Sequence, residues 1–159
     1  MAILLGVSII VIRIYAPIIY KQAHYIKLSE VKQYVKDNNE YLTDVARGLL
    51  EWQDDSVETY RERNSLPDTI DTNKLYADLN VNYIYISKNH LDDNNEVDIL
   101  LKNKNGNFSC GIYYSPDNVL LHWGKPQEGD RFEYEGDRHI YRSEKICDYW
   151  YYYEDDTWN

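Results

Sequence analysis

The chain has 159 residues, which is enough for one domain with a single core but not for two. Its 27 acidic and 17 basic side chains give a formal net charge of −10, which argues against a protein that binds nucleic acid through clusters of Lys and Arg. A hydrophobic content of 43% argues against a wholly disordered chain.

The N-terminal 21 residues form an apolar head in which Arg13 is the one charged side chain before Lys21. Ala2–Tyr20 supplies 19 residues, close to the roughly 20 that a helix needs to cross a bilayer. Arg13 within such a helix costs roughly 2.5–3.5 kcal/mol unless its side chain reaches the interface. We therefore predict a single-pass anchor over residues 1–21, with residues 2–20 in the membrane. A cleaved secretory signal and a buried core helix are the alternatives.

The basic residues near this head, Arg13, Lys21 and Lys27, all follow its first apolar run. Under the positive-inside rule, this arrangement places the rest of the chain in the cytoplasm, whereas a basic leader ahead of the run would reverse it. Small anchored bacterial proteins commonly hold their bodies outside the cytoplasm. We therefore expect a membrane-anchored protein with an extracytoplasmic body.

Residues 22–159 hold 15 basic and 27 acidic side chains, a net charge of −12, and we expect them to form a single α+β domain. A helix is predicted over residues 29–64, because Ser29 is a good N-cap, Glu30 suits the helix dipole and Pro67 ends the pattern. Apolar residues recur at intervals of three and four and give the helix one apolar face, at Val31, Tyr34, Val35, Leu42, Val45, Ala46, Leu49 and Leu50.

After Pro67 the pattern changes to a loop with one helical turn, up to Leu79, and then to strands. The strands are predicted at residues 81–87, 96–102, 107–114, 119–123, 131–134, 139–142 and 145–153. Asn105-Gly106 is a strong hairpin signal, and Ser115–Asn118 is a turn with proline in its second position. The expected architecture is the anchor helix and the amphipathic helix, the latter packed on an antiparallel β-meander of five to six strands over residues 80–154.

Two segments carry a resemblance to other proteins: GIYYSPDN at Gly111–Asn118 and EKICDYWYYYE at Glu144–Glu154. They resemble a group of small membrane-anchored proteins of Gram-positive bacteria that has no assigned function. In that group a hydrophobic N-terminus precedes a helix, and a YYSPD turn and a terminal W-Y-Y-Y-E strand close the domain. The resemblance is firm over residues 108–154 and implies a shared fold, but it supplies no catalytic residues.

The two cysteines, Cys110 and Cys147, each fall within a predicted strand. Outside the cytoplasm they are able to pair, and a disulfide that closes so long a loop stabilises a fold by a few kcal/mol. The alternative is two buried free thiols that act as small hydrophobic residues. Their spacing matches no zinc motif, so no metal site and no cofactor are predicted from them.

The remaining candidates for chemistry form no recognised motif. The four histidines, His24, His90, His122 and His139, are scattered through the chain. The acidic stretch Asp92–Asp98 resembles a cation loop, but Val97 stands where an EF-hand has glycine, so we interpret the stretch as a solvated turn. A hydrolytic triad of Cys110, His122 and Asp148 is conceivable only because acidic residues are so numerous. We therefore predict that the chain is not an enzyme.

The most unusual stretch is the aromatic run Tyr149–Tyr153 near the C-terminus, in a chain with 17 Tyr, 4 Trp and only 2 Phe. Since Tyr and Phe both have A/T-rich codons, codon usage does not explain the preference for Tyr. The preference indicates half-buried positions, where the ring packs against the protein and the hydroxyl contacts water. In a strand, Tyr149, Tyr151 and Tyr153 share one face, and Trp150 and Tyr152 share the other. The predicted binding residues are Tyr149, Trp150, Tyr151, Tyr152, Tyr153, Tyr113, Tyr114 and Trp123. Core packing on both faces of the strand is the alternative.

The function expected from these features is a non-enzymatic binding module on a membrane anchor, with aromatic residues that contact a partner inside an acidic rim. One version is an immunity or inhibitor protein, whose acidic surface attracts a basic toxin or enzyme. A second hypothesis is an envelope module that contacts cell-wall glycan. A third, a hydrolase with a scattered site, predicts a deep pocket lined by Asp or Glu side chains of raised pKa.

Overall fold

The computed structural model describes residues 28–54, 57–89, 93–102, 108–136 and 138–157. The predicted anchor over residues 1–21 lies outside the described residues, as do the Asn105-Gly106 turn, His24, His90 and Asp92. Within the described ranges, no helix is both long enough and apolar enough to cross a membrane.

The helical part of the fold consists of α1 (Leu28–Asp37), α2 (Asn39–Trp52) and the short α3 (Asn73–Asp78). The prediction of a helix over residues 29–64 is therefore wrong beyond Trp52, where Gln53 turns to an extended backbone. The apolar positions that face the core end at Leu50. The residues that follow instead form the edge strand β1 (Val57–Arg61), for which β-branched and aromatic residues are well suited. A turn of helix before Leu79 is confirmed as α3.

Nine strands are present in the described residues, seven of them in one antiparallel sheet of order β1-β2-β3-β4-β9-β8-β7. The fold is α+β, as predicted, but the sheet is larger than the expected five to six strands because β1 adds an edge. Strands β5 and β6 form a separate hairpin. After β1, the strands are β2 (Val81–Lys88), β3 (Glu96–Leu101), β4 (Phe108–Tyr114), β5 (Leu120–His122), β6 (Lys125–Gln127), β7 (Arg131–Gly136), β8 (His139–Cys147) and β9 (Trp150–Thr157).

The segment predicted as a last strand over residues 145–153 contains a turn. Cys147 pairs with Trp150, and the chain reverses between them, with Tyr149 at a φ of +68°. The Tyr149 N–H donates to Asn118 Oδ1 at 2.8 Å, and the Ser115 N–H donates to the Tyr149 carbonyl at 2.9 Å. The predicted Ser115–Asn118 turn thus forms and holds the second reversal in place.

The helices cover one face of the sheet. Trp150 on β9 is fully buried there among aliphatic side chains, which include Leu42 and Leu49 of α2 and Ile112 of β4. Its indole Nε1–H donates to Thr43 Oγ1 at 3.1 Å, so the one polar group of this large side chain is satisfied. This contact fixes α2 against the centre of the sheet.

The opposite, helix-free face has a second core of different composition. Tyr113, Tyr141, Tyr151 and Tyr153 are buried there beneath Leu120 and Leu121 of the β5–β6 hairpin. The hairpin docks through hydrogen bonds of tyrosine hydroxyls. The Leu121 N–H donates to the Tyr113 hydroxyl at 2.9 Å, and the Tyr141 hydroxyl donates to the Leu121 carbonyl at 3.3 Å. Tyrosine is needed here because phenylalanine would leave these backbone groups unpaired.

The Trp150–Thr43 contact yields a stability prediction. Thr43→Val should lower the free energy of unfolding by about 1–3 kcal/mol, because a buried indole N–H loses its acceptor. Thr43→Ser keeps the hydroxyl and should lose clearly less. Urea unfolding followed by tryptophan fluorescence measures both variants. Equal losses for Val and Ser would show that the hydrogen bond does not contribute.

Candidate binding site

The structure buries most of the predicted binding residues. Six of the eight, Tyr113, Tyr114 and Trp150–Tyr153, are at most 6% exposed. The reason is position: β9 lies between β4 and β8, and both of its faces are covered. The interpretation of the aromatic run as an exposed surface is therefore wrong, and the alternative of core packing on both faces describes it. Trp123 is 58% exposed, and Tyr149 is partly buried in its turn.

The helix-free face carries a cleft of about 330 Å³ beside the β5–β6 hairpin, which leaves β1, β2 and part of β3 uncovered. Tyrosine rings and carboxylates dominate its lining. The lining residues are Tyr60, Tyr83, Tyr85, Asp93, Glu96, Asp98, Leu100, Ser109, Tyr113, Trp123, Tyr141, Tyr153 and Asp155. Of the predicted binding residues, this cleft brings together Tyr113, Tyr153 and Trp123.

Strand alternation and register explain how the polar residues meet. In β2, Ile84 and Ile86 face the helices, so Tyr83 and Tyr85 face the cleft. In β3, the same alternation directs Asp98 to the cleft side. Asp98 pairs with Tyr85 on one neighbouring strand and with Tyr113 on the other. A carboxylate therefore stands in a cross-strand row of tyrosines.

Asp98 is the most unusual group in the cleft. Its Oδ1 atom is fully buried and has no hydrogen-bond partner among the described residues, while the Tyr153 hydroxyl donates a hydrogen bond to the carboxylate. Burial raises the pKa of Asp98 to about 7, and the Tyr153 hydrogen bond opposes that rise only in part. Asp98 therefore exchanges a proton with solvent near neutral pH.

The other carboxylates of the cleft have partners. Lys125 Nζ lies 2.6 Å from Asp93 Oδ1, and His139 Nε2 lies 2.7 Å from Asp155 Oδ1. Glu96 follows the same alternation as Asp98 and lines the cleft two residues before it. Among the described residues that line the cleft, none is a lysine, an arginine or a histidine. Four carboxyl groups thus line the site, and the side chains that pair with two of them, Lys125 and His139, lie outside its described lining.

The position of Tyr153 depends on Gly111, its pairing partner on β4. A Cβ atom at Gly111 would lie 2.7 Å from Tyr153 Cε1 and 2.6 Å from the Ile99 carbonyl oxygen. The absence of a side chain lets the tyrosine ring lie across β4, so that its hydroxyl reaches Asp98 on β3. Gly111 is therefore part of the structure that supports the cleft.

Trp123 is held at the tip of the β5–β6 hairpin in a strained conformation. Trp123 and Gly124 have φ angles of +49° and +74°, the pattern of a type I′ turn, in which glycine or asparagine is usual. The indole ring stacks on His139 at 4.9 Å between ring centroids, with an interplanar angle of 6°. The Asn94 N–H donates to the Gly124 carbonyl at 2.9 Å and ties the tip to the segment before β3.

Exposed aromatic side chains concentrate around this cleft. The described residues include four large, exposed hydrophobic side chains, and three of them, Tyr60, Trp123 and Tyr134, lie on the helix-free face. Tyr60 is 65% exposed and contacts Tyr83 and Tyr85 at one end of the cleft. Trp123 lines the cleft from the hairpin, so exposed rings flank the carboxylates from two elements.

The other candidate residues predicted from the sequence do not meet in the fold. Cys110 packs on the helix side, whereas His122 contacts Phe132 on the helix-free face, so the triad with Asp148 does not form. Both cysteines are free thiols. Cys110 pairs with Glu154 and Cys147 with Trp150, four residues apart on β9, which is about 13 Å and too far for a disulfide.

The acidic stretch at residues 92–98 does not form a separate cation loop in the part that is described. Glu96 and Asp98 belong to β3, and Asp93 pairs with Lys125. Across the described ranges, no group of three or more His, Cys, Asp or Glu side chains is arranged to hold a metal ion.

Sequence reasoning missed the main residues of the cleft: Tyr60, Tyr83, Tyr85, Glu96, Asp98, Tyr141 and Asp155. A signal was present in the alternation of VNYIYIS and EVDILLK, which directs Tyr83, Tyr85, Glu96 and Asp98 to the faces opposite the isoleucines. The two strands were predicted correctly, but nothing in either strand alone indicates that their polar faces form one shared wall.

No family model, no curated protein and no solved structure matches this chain. The resemblance carried by Gly111–Asn118 and Glu144–Glu154 therefore stays an expectation. The geometry of the cleft is what bears on function.

The close approach at Gly111 can be tested directly. Gly111→Ala should lower the free energy of unfolding by roughly 1–3 kcal/mol, because the added methyl group collides with the Ile99 carbonyl and the Tyr153 ring. Gly48→Ala is the matched control, since its Cβ meets Ile70 at an ordinary 3.4 Å and alanine favours the helix. Chemical denaturation measures both variants. A Gly111→Ala protein as stable as wild type would contradict the proposed packing.

The raised pKa of Asp98 predicts an unusual pH dependence of stability. Because the folded pKa of about 7 lies above the unfolded value, the folded chain binds more protons between about pH 4 and 7. This group therefore makes the free energy of unfolding fall as pH rises through that window. Asp98→Asn should flatten this fall and should stabilise the chain at pH 8 by roughly 1–4 kcal/mol.

Urea unfolding at pH 5 and pH 8 measures this effect. The matched control is Asp148→Asn, which removes the same charge from a side chain that is 78% exposed in the β8–β9 turn. The control should keep the wild-type difference between the two pH values. An Asp98→Asn protein that also keeps this difference would show that Asp98 titrates normally.

Proposed function

We propose that the chain is a non-enzymatic binding module whose helix-free face takes up a basic protein partner. The observation that carries this proposal is the cleft itself, which has four carboxyl groups and no basic side chain in its described lining. Such a site repels anions and gains energy when a cationic group enters it. Where the lining is shielded from solvent, as at the buried Asp98 Oδ1, that attraction is stronger than in bulk water.

The aromatic residues supply the second part of the proposed contact. Tyr60 and Trp123 are exposed at the cleft, where a planar ring can pack on the aliphatic stem of a Lys or Arg side chain and attract its charge. Tyr and Trp are also the residues that contribute most to binding energy at protein interfaces. The proposed contact surface is thus the acidic cleft with its exposed rings, and not the buried run Tyr149–Tyr153.

An immunity or inhibitor protein is the version of this function that best fits the whole chain. The net charge of −12 over residues 22–159 would attract a basic toxin or enzyme at long range and speed association. An anchor over residues 2–20 would hold the module at the membrane, with the body outside the cytoplasm. The partner's basic surface would then cover the helix-free face.

Binding of decalysine to the full chain in non-ionic detergent tests the proposed surface. Trp123→Ala should weaken binding about fivefold or more through the lost cation–aromatic contact. The double variant Glu96→Gln with Asp155→Asn should weaken it about tenfold or more. Surface plasmon resonance at low and moderate salt gives both changes, and wild-type affinity should fall as salt rises.

Matched controls place the same changes away from the cleft. Trp52→Ala removes an exposed indole at the end of α2, and Glu133→Gln with Asp148→Asn removes two exposed carboxylates. These variants should bind decalysine nearly as well as wild type. If they lose as much affinity as the cleft variants, binding reports only net charge and the proposed surface is wrong.

Co-expression tests the immunity version in cells. Toxin genes adjacent to the gene for this chain would be expressed with wild type, Trp123→Ala or Trp52→Ala. Protection by wild type and Trp52→Ala but not by Trp123→Ala is expected. Absence of protection by wild type would contradict the immunity version.

Two alternatives each have one supporting observation. An envelope module for cell-wall glycan is favoured by the flat, exposed indole of Trp123, on which a sugar ring is able to stack. Sedimentation of the full chain with purified cell wall, lost in Trp123→Ala, would favour it over a protein partner.

A hydrolase is favoured by Asp98, whose pKa of about 7 suits a general acid beside Glu96 and Asp155. Release of reducing sugars from cell wall, abolished by Asp98→Asn, would favour that alternative.

A further inference from the structure

The hydrogen bonding of Asp98 is incomplete within the fold. A buried carboxylate usually accepts several hydrogen bonds or pairs with a cation, because an uncompensated charge in a low-polarity site is costly. Asp98 has Tyr153 as its donor, and its Oδ1 has no partner. The cross-strand neighbours of Asp98, Tyr85 and Tyr113, leave this oxygen unbonded. Asp98 therefore keeps one acceptor that no described protein group uses.

We propose that the cleft recognises a single aliphatic ammonium group, which pairs with Asp98 and displaces any proton on that carboxyl group. The ammonium belongs either to a lysine side chain of a protein partner or to a small free amine. This inference rests on the proposed function, because it names the chemical group by which the basic partner is anchored. In the bound state, the ammonium and Asp98 form an ion pair, and the displaced proton passes to solvent.

The number of available oxygens favours an ammonium over a guanidinium. An Arg side chain forms its strongest carboxylate contact with both oxygens at once. At Asp98 the Tyr153 hydroxyl is one hydrogen-bond partner and Oδ1 has none among the described residues, so a single acceptor is left unused. A lysine ammonium is compact and needs one acceptor here, while Glu96 and Asp155 line the same cleft. Rotation about the Asp98 Cβ–Cγ bond lets either oxygen face the cleft.

The surroundings of Asp98 make it the group that changes charge when an amine binds. Tyrosines face it from β2, β4, β8 and β9, and burial raises the pKa of each, so they stay neutral. These residues are Tyr83, Tyr113, Tyr141 and Tyr153, and Tyr85 lies beside them. The other acids of the lining are Glu96, Asp155 and Asp93, and Tyr60 lines the cleft with them. His139 is paired with Asp155, and Lys125 is paired with Asp93.

Isothermal titration calorimetry of the full chain in non-ionic detergent tests the inference. The probes are N-acetyl-lysine amide, N-acetyl-arginine amide, n-butylamine and, as the uncharged analogue, N-acetyl-norleucine amide. At pH 6, binding of the lysine probe should release about 0.9 proton per site, measured in buffers of different ionisation enthalpy. Its affinity should rise about tenfold between pH 6 and pH 8, since the lysine amine stays charged throughout.

The variant Asp98→Asn should abolish both the proton release and the pH dependence, whereas the control Asp148→Asn should keep both. Tighter binding of the lysine probe than of the arginine probe is expected, and no binding of the norleucine probe. A higher affinity for N-acetyl-lysine amide than for n-butylamine indicates a lysine side chain of a protein as the source of the ammonium. A higher affinity for n-butylamine indicates a free amine. Binding without proton release, or release that persists in Asp98→Asn, would overturn the inference.

The failure of this inference is distinguishable from failure of the proposed function. If decalysine binding depends on Trp123, Glu96 and Asp155 but is the same in Asp98→Asn at pH 6 and pH 8, the basic partner stands and the ammonium site on Asp98 is wrong. If the lysine probe binds with proton release while decalysine does not bind, the ammonium site stands and the protein partner is wrong.

Discussion

The pairing of β9 with β4 at the centre of the sheet is the constraint on which the rest of the structure depends. A central strand has neighbours on both edges, and here both of its faces are covered as well. Trp150 and Tyr152 fill the side that the helices cover, and Tyr151 and Tyr153 fill the other side. The two faces of the sheet are covered in different ways. The helical side is closed by aliphatic residues and one threonine hydroxyl, whereas the helix-free side is closed by a hairpin whose backbone polar groups need partners.

The helix-free face gives the tyrosine excess a physical cause. Hydroxyls of its tyrosines bond to the Leu121 backbone, to Ser143 and to Asp98, so they are satisfied within the protein rather than by water. The expectation that tyrosine marks half-wet surfaces is therefore wrong for these buried rings. The hairpin strands have only three residues each and leave the β1–β3 end of the face open. The cleft is the place where this short cover stops, and the same tyrosine layer forms its floor.

Local patterns predicted the strands well and the site poorly. The positions of β2, β3 and β4 follow from alternation, and the Ser115–Asn118 turn follows from its proline. The turn at Tyr149 contains neither glycine nor proline, so it has no local sequence signal. Its backbone is held instead by a hydrogen bond to Asn118, which is distant in sequence. Likewise, the contact of Tyr153 with Asp98 requires two strand pairings and the gap at Gly111, which no local window contains. What depended on long-range register was therefore not predictable from one sequence.

Two energetically unfavourable features meet at the cleft. Asp98 has a buried oxygen without a hydrogen bond and no basic partner among the described residues, and Trp123 occupies a backbone conformation that suits glycine or asparagine. Neither feature helps folding, and both face the same space. Strain and incomplete bonding that converge on one surface favour the proposed binding site, because a ligand would supply the missing interactions.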